Sequence, residues 1–225
     1  MIGHPRRHHR SVGSTNLIAR ELAAAGAPHG TLVTADHQSA GRGRSDRVWE
    51  APPGSSALMS LVVRPADALL PLRAAVGLCD MLAGLPGVAI KWPNDVLIGG
   101  GKLAGILVEG RPQDGWAVLG MGVNVVAVPA GFEESATCLA DHGDTRTVAQ
   151  VLDALLEALD RRTGEDAPAV LAAWRERDAL RGRSVHWDGG SGTAAGMDDS
   201  GALLVNTAEG PVALDAGEVH LRTTR

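Results

Sequence analysis

Apolar positions along the chain switch repeatedly between helical and strand-like spacing. "STNLIARELAAAG" (14–26) predicts a helix that Ser14, Thr15 or Asn16 can cap and Gly26 can end. "GTLVTADHQ" (30–38) and "SALMSLVVRP" (56–65) predict strands, the second closed by Pro65. Residues 68–85 predict a helix with Pro71 near its start, where a missing N–H costs little. "VAIKWPNDVLI" runs into "GGG" and then "KLAGILVEG", two apolar runs flanking a glycine turn, as in a hairpin. "WAVLGMGVNVV" (116–126) predicts another buried strand. In "TVAQVLDALLEALDRR" the positions Val148, Val151, Leu152, Leu155, Leu156 and Leu159 keep the i, i+3, i+4, i+7 spacing of an amphipathic helix. A last helix is predicted over 168–180.

Beyond Arg181 the texture changes to short strand-like runs separated by Gly, Asp and Asn: "SVHWDGG", "GTAAGMDDSG", "ALLVNTAEG" and "PVALDAGEVHL". That pattern predicts a small β-barrel and places a domain boundary near Arg181, giving domains 1–180 and 181–225.

Composition narrows the function classes. Hydrophobic content of 44% with 21% charged residues suits a globular protein, and no run of about 18 apolar residues could span a membrane. The basic start "MIGHPRRHHR" is followed by no signal-peptide core. Cys79 and Cys138 lie far apart and outside any C-x-x-C arrangement, which speaks against a zinc site and for a cytoplasmic home. A net charge of −5 argues against a broad nucleic-acid surface.

The local exceptions carry the chemistry. "GRGRSDRVW" (41–49) sets Arg42, Arg44 and Arg47 on a glycine-rich backbone, able to clamp carboxylate or phosphate, to form a solvated basic turn, or to serve as a nucleic-acid loop, though no flanking basic patch extends it. "GGGK" tempts a P-loop reading, but Val96 stands where the first glycine belongs and Leu103 where Ser or Thr belongs. Lys102 alone reads as a snorkelling lysine at a strand edge, and Asp95 alone as an Asx turn after proline.

Together, "SVGSTN", "GRGRSDRVW", "KWPNDVLIGGGKLAGILVE" and "GMGVNV" occur in an order and spacing that resembles the biotin–protein ligase (biotin–[acetyl-CoA-carboxylase] ligase) family. The resemblance covers nearly the whole chain, since "GMDDSGALLV" is similar to that family's C-terminal barrel. It implies an α+β fold: a class II synthetase-like, lipoyl-ligase-like mixed sheet flanked by helices, followed by a small SH3-like β-barrel. It implies formation of biotinyl-5′-AMP from biotin and Mg²⁺-ATP, then transfer to a lysine of a biotin carboxyl carrier protein.

Carried onto this sequence, the resemblance puts Ser14, Thr15, Asn16 and Gln38 on the biotin head group. Gly41, Arg42, Gly43 and Arg44 fall along the biotin tail and activated phosphate. Lys102 touches the biotin carboxyl and the α-phosphate, and Gly105 allows close approach along the pocket. Arg47, Trp49, Asn94 and Asn124, with Arg44 and Lys102, serve the nucleotide. Lys102, Arg42, Arg44 and Asp95 carry catalysis, with Asp95 orienting the incoming amine, taking its proton or meeting the metal. No protein metal cage is expected, the ATP phosphates holding Mg²⁺.

The family's loop commonly reads GRGRxGRxW, and Asp46 stands here at the third glycine of that pattern. Asp tolerates left-handed backbone, but its carboxylate beside Arg44 and Arg47 is expected to weaken anion binding. With mutually repelling arginines and flexible glycines, residues 41–50 are expected to be mobile until an anion arrives. Only 13 residues precede Ser14, so the form expected lacks an N-terminal DNA-binding domain; DNA and membrane partners are not expected, and the protein is expected as a monomer or weak homodimer. The alternatives are a lipoate or octanoate protein ligase, a non-catalytic biotin-sensing module and, behind these, a DNA-binding repressor.

Overall fold

The computed structural model describes residues 2–215, 217 and 219–221. A seven-stranded mixed sheet has the order β1-β2-β3-β7-β6-β5-β4. Its strands are β1 (Arg6–His9), β2 (Leu32–Ala35), β3 (Ser56–Val63), β4 (Val88–Lys91), β5 (Asp95–Ile98), β6 (Gly101–Arg111) and β7 (Trp116–Asn124). Only β1 and β2 pair in parallel among these neighbours. The helices are α1 (Thr15–Ala24), α2 (Leu70–Met81), α3 (Val148–Thr163) and α4 (Ala167–Arg175). A second, antiparallel sheet, ordered β11-β10-β9-β8-β12, comprises β8 (Ser184–Trp187), β9 (Gly190–Met197), β10 (Leu203–Thr207), β11 (Gly210–Leu214) and β12 (His220–Leu221). This is the expected α+β plan of a large flanked sheet followed by a small SH3-like one. Part of the predicted "PVALDAGEVHL" run lies outside the described residues.

The central strands are buried on both sides, which is why they read as unbroken apolar runs rather than as alternation. Leu61, Val63, Ala117 and Leu119 turn toward α2 and α3 in the main core. Val33, Val62, Trp116 and Val118 turn the other way, against Ala19 and Ala23 of α1. The main core continues through Trp92 and Trp174 into Val185, Met197, Leu203 and Val205 of the small sheet. Trp92 Nε1 also donates to the Gly201 carbonyl at 3.0 Å, and Arg175 Nε to that of Met197 at 3.0 Å. No helix among the described residues is long and apolar enough to cross a membrane.

Several elements differ from the sequence expectation. β1 arises from polar residues with no apolar signal, and its first three positions are exposed at the sheet's edge. "VAIKWPNDVLI" is two strands: β4 and β5 pair as their own hairpin through Trp92–Asn94, and the glycine turn then joins β5 to β6. α4 stops at Arg175, short of residue 180, because the chain beyond it pairs with β4: Ile90 N–H donates to Arg177 O at 2.7 Å and Ala179 N–H to Ile90 O at 2.9 Å. Ser14 is the N-cap of α1, but its side chain makes no capping hydrogen bond. By contrast, Thr147 and Gln150 form a reciprocal capping box at α3.

Candidate active site

Along the α1-side face of the sheet, side chains shrink where the strands pass beyond the helix. Ser60 pairs with Gly120, and Gly105 with Gly122. A Cβ on Gly120 would stand 2.2 Å from Asn16 Oδ1, and one on Gly122 would stand 2.4 Å from Trp49 Cε2. A Cβ on Gly105 would stand 2.9 Å from Trp49 Cζ3. The glycines therefore make a bare backbone floor on which Trp49 and Asn16 rest. Above it lies a cavity of about 440 Å³.

The predicted residues converge there. Ser14, Thr15, Asn16, Gln38, Arg42, Gly43, Arg44, Arg47, Trp49, Asn94, Asp95, Lys102, Gly105 and Asn124 all line it; Gly41 does not. Gly41 serves the loop instead, because a Cβ there would meet the Trp49 carbonyl oxygen at 2.2 Å.

One end of the cavity is a neutral polar network. Thr15 donates from its backbone N–H to Gln38 Oε1 at 2.8 Å, with Thr15 Oγ1 3.0 Å from the same oxygen. Ser60 Oγ lies 2.8 Å from Thr15 Oγ1 and 2.5 Å from Asn16 Oδ1. With Gln38 Oε1 engaged, its amide nitrogen is left as a donor for a ligand acceptor. Asn16 is turned inward, its Nδ2 donating to Glu109 Oε2 at 2.8 Å. Asn124 is likewise held, Nδ2 donating to the Thr137 carbonyl at 3.1 Å.

The other end is cationic. Lys102 Nζ forms an ion pair with Asp95 Oδ1 at 2.8 Å, without hydrogen-bond angles, and lies 5.6 Å from the centroid of Trp49. Arg44 Nη1 donates to Asn94 Oδ1 at 3.4 Å, and Asn94 Nδ2 to the Ile106 carbonyl at 2.9 Å. Burial lowers the Arg44 pKa from its ordinary value; Asp95 opposes the shift and Arg47 adds to it. Burial also lowers the Lys91 pKa, with Asp95 opposing and Lys102 and Arg47 adding. Such clustered cations on a low-dielectric floor are arranged for a multiply charged anion.

The loop is a small hairpin. Gly43 N–H donates to Arg47 O at 2.7 Å and Trp49 N–H to Gly41 O at 3.0 Å. Its tip, Ser45 and Asp46, takes φ of 52° and 57°, the left-handed pair of a type I′ turn. Asp46 thus occupies the conformation that the family's glycine would adopt freely. Residues 41–50, expected to be mobile until an anion arrives, have backbone pairing of their own, with Arg44 on Asn94 and Arg42 on Glu109.

Four features were not singled out from sequence. Ser60 is a lone hydroxyl in an apolar strand, Lys91 opens the "KWPND" run and Glu109 ends the "GILVE" run. Lys91 lines the cavity, as do Val219, His220 and Leu221 at β12, which no local pattern marks.

Among the described residues, the acidic groups lining the cavity are Asp95 and Glu50. No cluster of three His, Cys, Asp or Glu placed to hold a metal occurs among the described residues.

The chain is similar to known proteins over nearly its whole length. Residues 9–125 match the family model described as "Biotin/lipoate A/B protein ligase family", and 189–222 match "Biotin protein ligase C terminal domain". The chain is 37% identical to the biotin–[acetyl-CoA-carboxylase] ligase of Mycobacterium tuberculosis, over 93% of this chain and 86% of that protein. It is 36% identical to the Paracoccus denitrificans enzyme of the same name, over 92% of this chain and 96% of that one. The Aquifex aeolicus biotin protein ligase, solved with biotin and ATP, superposes with a TM-score of 0.80 at 25% identity, covering 98% of this chain and 100% of that one.

Proposed function

Because the chain belongs to the biotin/lipoate A/B protein ligase family, we propose from the site that it is an ATP-dependent biotin–protein ligase acting on a carboxylase's biotin carboxyl carrier protein. The observation that carries the reading is one cavity with two unlike ends on a glycine floor. The neutral network of Thr15, Gln38 and Ser60 suits a polar, uncharged ring, and the cluster of Arg44, Arg47, Lys91 and Lys102 suits a polyphosphate.

In the first step a biotin carboxylate oxygen bonds to the α-phosphorus of ATP and the bond to the β-phosphate oxygen breaks, releasing pyrophosphate. Two anions must approach, and charge accumulates on the phosphorus oxygens. Lys102 and Arg44, held by Asp95 and Asn94, supply fixed positive charge where that happens. Mg²⁺ entering with the nucleotide would supply further charge neutralisation, and Asp95 and Glu50 are the described acidic groups that would meet it. In the second step the carrier lysine's neutral amine attacks the acyl carbon, an amide forms, AMP leaves and the amine loses a proton. Asp95 orients that amine or takes its proton. Trp49, flat on Gly105 and Gly122, offers an aromatic face to the nucleotide.

The same reading divides the protein near Arg181, supported by the start of β8 at Ser184 and of the second family match at residue 189. It makes the protein a cytoplasmic monomer or weak homodimer. With a net charge of −5 it gives duplex DNA no part, and a gel shift that survives moderate salt and distinguishes an operator from random sequence would refute that.

ATP–pyrophosphate exchange with biotin, lipoate and octanoate in turn tests the activity. Exchange with biotin alone is expected. Exchange with lipoate or octanoate instead would move the chain to the other branch of its family, and no exchange with any acid would make it a binding module.

A further inference from the structure

One carboxylate on the site face has no part in the reaction above. Glu109 lies on β6 on the same face as Gly105 and Leu107, and its side chain is only 16% exposed. Oε2 accepts from Asn16 Nδ2 at 2.8 Å; Oε1 accepts from Arg20 Nη1 at 3.2 Å and from Arg42 Nη2 at 3.1 Å. Asn16 and Arg20 belong to α1, and Arg42 to the 41–49 hairpin. A single carboxylate therefore joins the helix that begins at the neutral end of the cavity to the loop that supplies its cations.

A half-buried carboxylate would be costly without partners, and the two guanidinium groups and the amide offset that cost. The charge count is informative: one negative group against two positive ones leaves the cluster with a net positive charge beside the cavity. Arg42 is thus held in place without being fully neutralised and keeps its attraction for an incoming anion. Through Asn16 the same carboxylate continues into Ser60, Thr15 and Gln38.

We propose that Glu109 is a positioning residue. It tethers Arg42, and with it the arginine hairpin, to the neutral end of the cavity, and so sets how tightly the acid substrate is gripped without touching any reacting atom. That the acid is biotin rests on the function proposed above; the tether itself does not.

Glu109→Gln keeps the shape and an acceptor oxygen but removes the charge. In the substrate-free protein, hydrogen exchange at the Gly43 and Trp49 amides should accelerate. In ATP–pyrophosphate exchange the KM for biotin should rise about 10-fold, the order of one charge-assisted hydrogen bond, with kcat within about twofold. In an Arg42→Ala background, Glu109→Gln should change that KM less than about twofold, because the two act through one contact. Glu109→Asp, which keeps the charge with a shorter reach, should fall between wild type and Gln, and carries the test if the Gln variant does not fold.

Unchanged loop exchange in a folded Glu109 variant overturns the tether, as does a KM effect that simply adds to that of Arg42→Ala. Wild-type protein with no biotin-dependent exchange would instead sink the ligase reading, and amide exchange in the loop would still decide the tether.

Discussion

The two faces of the seven-stranded sheet are built from the same strands and do opposite work. One face presents Leu61, Val63, Ala117 and Leu119 to α2 and α3, with each side chain buried. The other carries Val62 and Val118 under α1 and then, one and two pairs further along, Ser60 opposite Gly120 and Gly105 opposite Gly122. Stability comes from filling the first face; the site exists because the second is left unfilled. Backbone exposed by glycine lets flat groups such as Trp49 lie against the sheet, and beside it the polar groups of Thr15, Gln38, Ser60 and Asn16 pair with one another. The contrast teaches that adjacent positions on one strand can be under unrelated constraints.

Lys102→Ala should show the largest effect, on the site face alone. Removing one fixed charge donor should slow adenylate formation by roughly 100- to 1,000-fold. Thermal stability should fall only modestly, since Lys102 is about one-third exposed (34%), the loss coming from Asp95, 18% exposed, left without its ion-pair partner. A variant within about threefold of wild type in pyrophosphate exchange would remove Lys102 from the chemistry.

Leu119→Ala is the mirror experiment. Leu119 is fully buried on the covered face, so the truncation should cost about 2–5 kcal/mol in denaturant unfolding while the folded fraction keeps its kcat. Loss of kcat at full folding would show that the faces are coupled more tightly than this comparison allows.

Gly122→Ala tests the bare floor. The added methyl carbon would stand 2.4 Å from Trp49 Cε2, so the indole must move. The KM for ATP in the exchange assay should rise about 10-fold, with an overpacking cost of at most about 1–3 kcal/mol in stability. An unchanged KM would mean that Trp49 does not need that seat.

The smallest effect concerns Cys79 on α2, deep on the covered side. Burial pushes its thiol up to about 12, with nearby Arg177 opposing and Asp80 adding. The folded protein holds the proton more tightly than the unfolded chain, whose thiol ionises near 9. The stability this contributes is complete below pH 9 and is lost as pH rises from there toward 12. Cys79→Ala should remove that part of the alkaline slope, and iodoacetamide should leave the native thiol unmodified at pH 8. Alkylation of the folded protein would show that α2 is less firmly seated.

Helices α1, α2 and α3, the long strands and the order of the elements were legible because each repeats a local signal over many residues. α3 shows it best, where apolar spacing, the Thr147–Gln150 capping box and Gly164 agree within one segment. The residues lining the cavity were legible only through the resemblance that the ordered motifs carry, since Lys102 alone reads as a strand-edge lysine and Asp95 alone as an Asx turn.

What only the tertiary structure decided are the long-range pairings. β1 is a strand because β2 offers it hydrogen bonds, and α4 ends where it does because β4 captures the chain beyond it. Arg42 turns to Glu109, 67 positions away, because β6 carries that carboxylate past the start of α1. The sequence by itself determined which chemistry the chain holds and roughly where its elements run, since those follow from side-chain type and periodicity. Which groups meet was left to the fold, because a hydrogen bond or ion pair depends on distance in space, and no local pattern encodes that across a sheet.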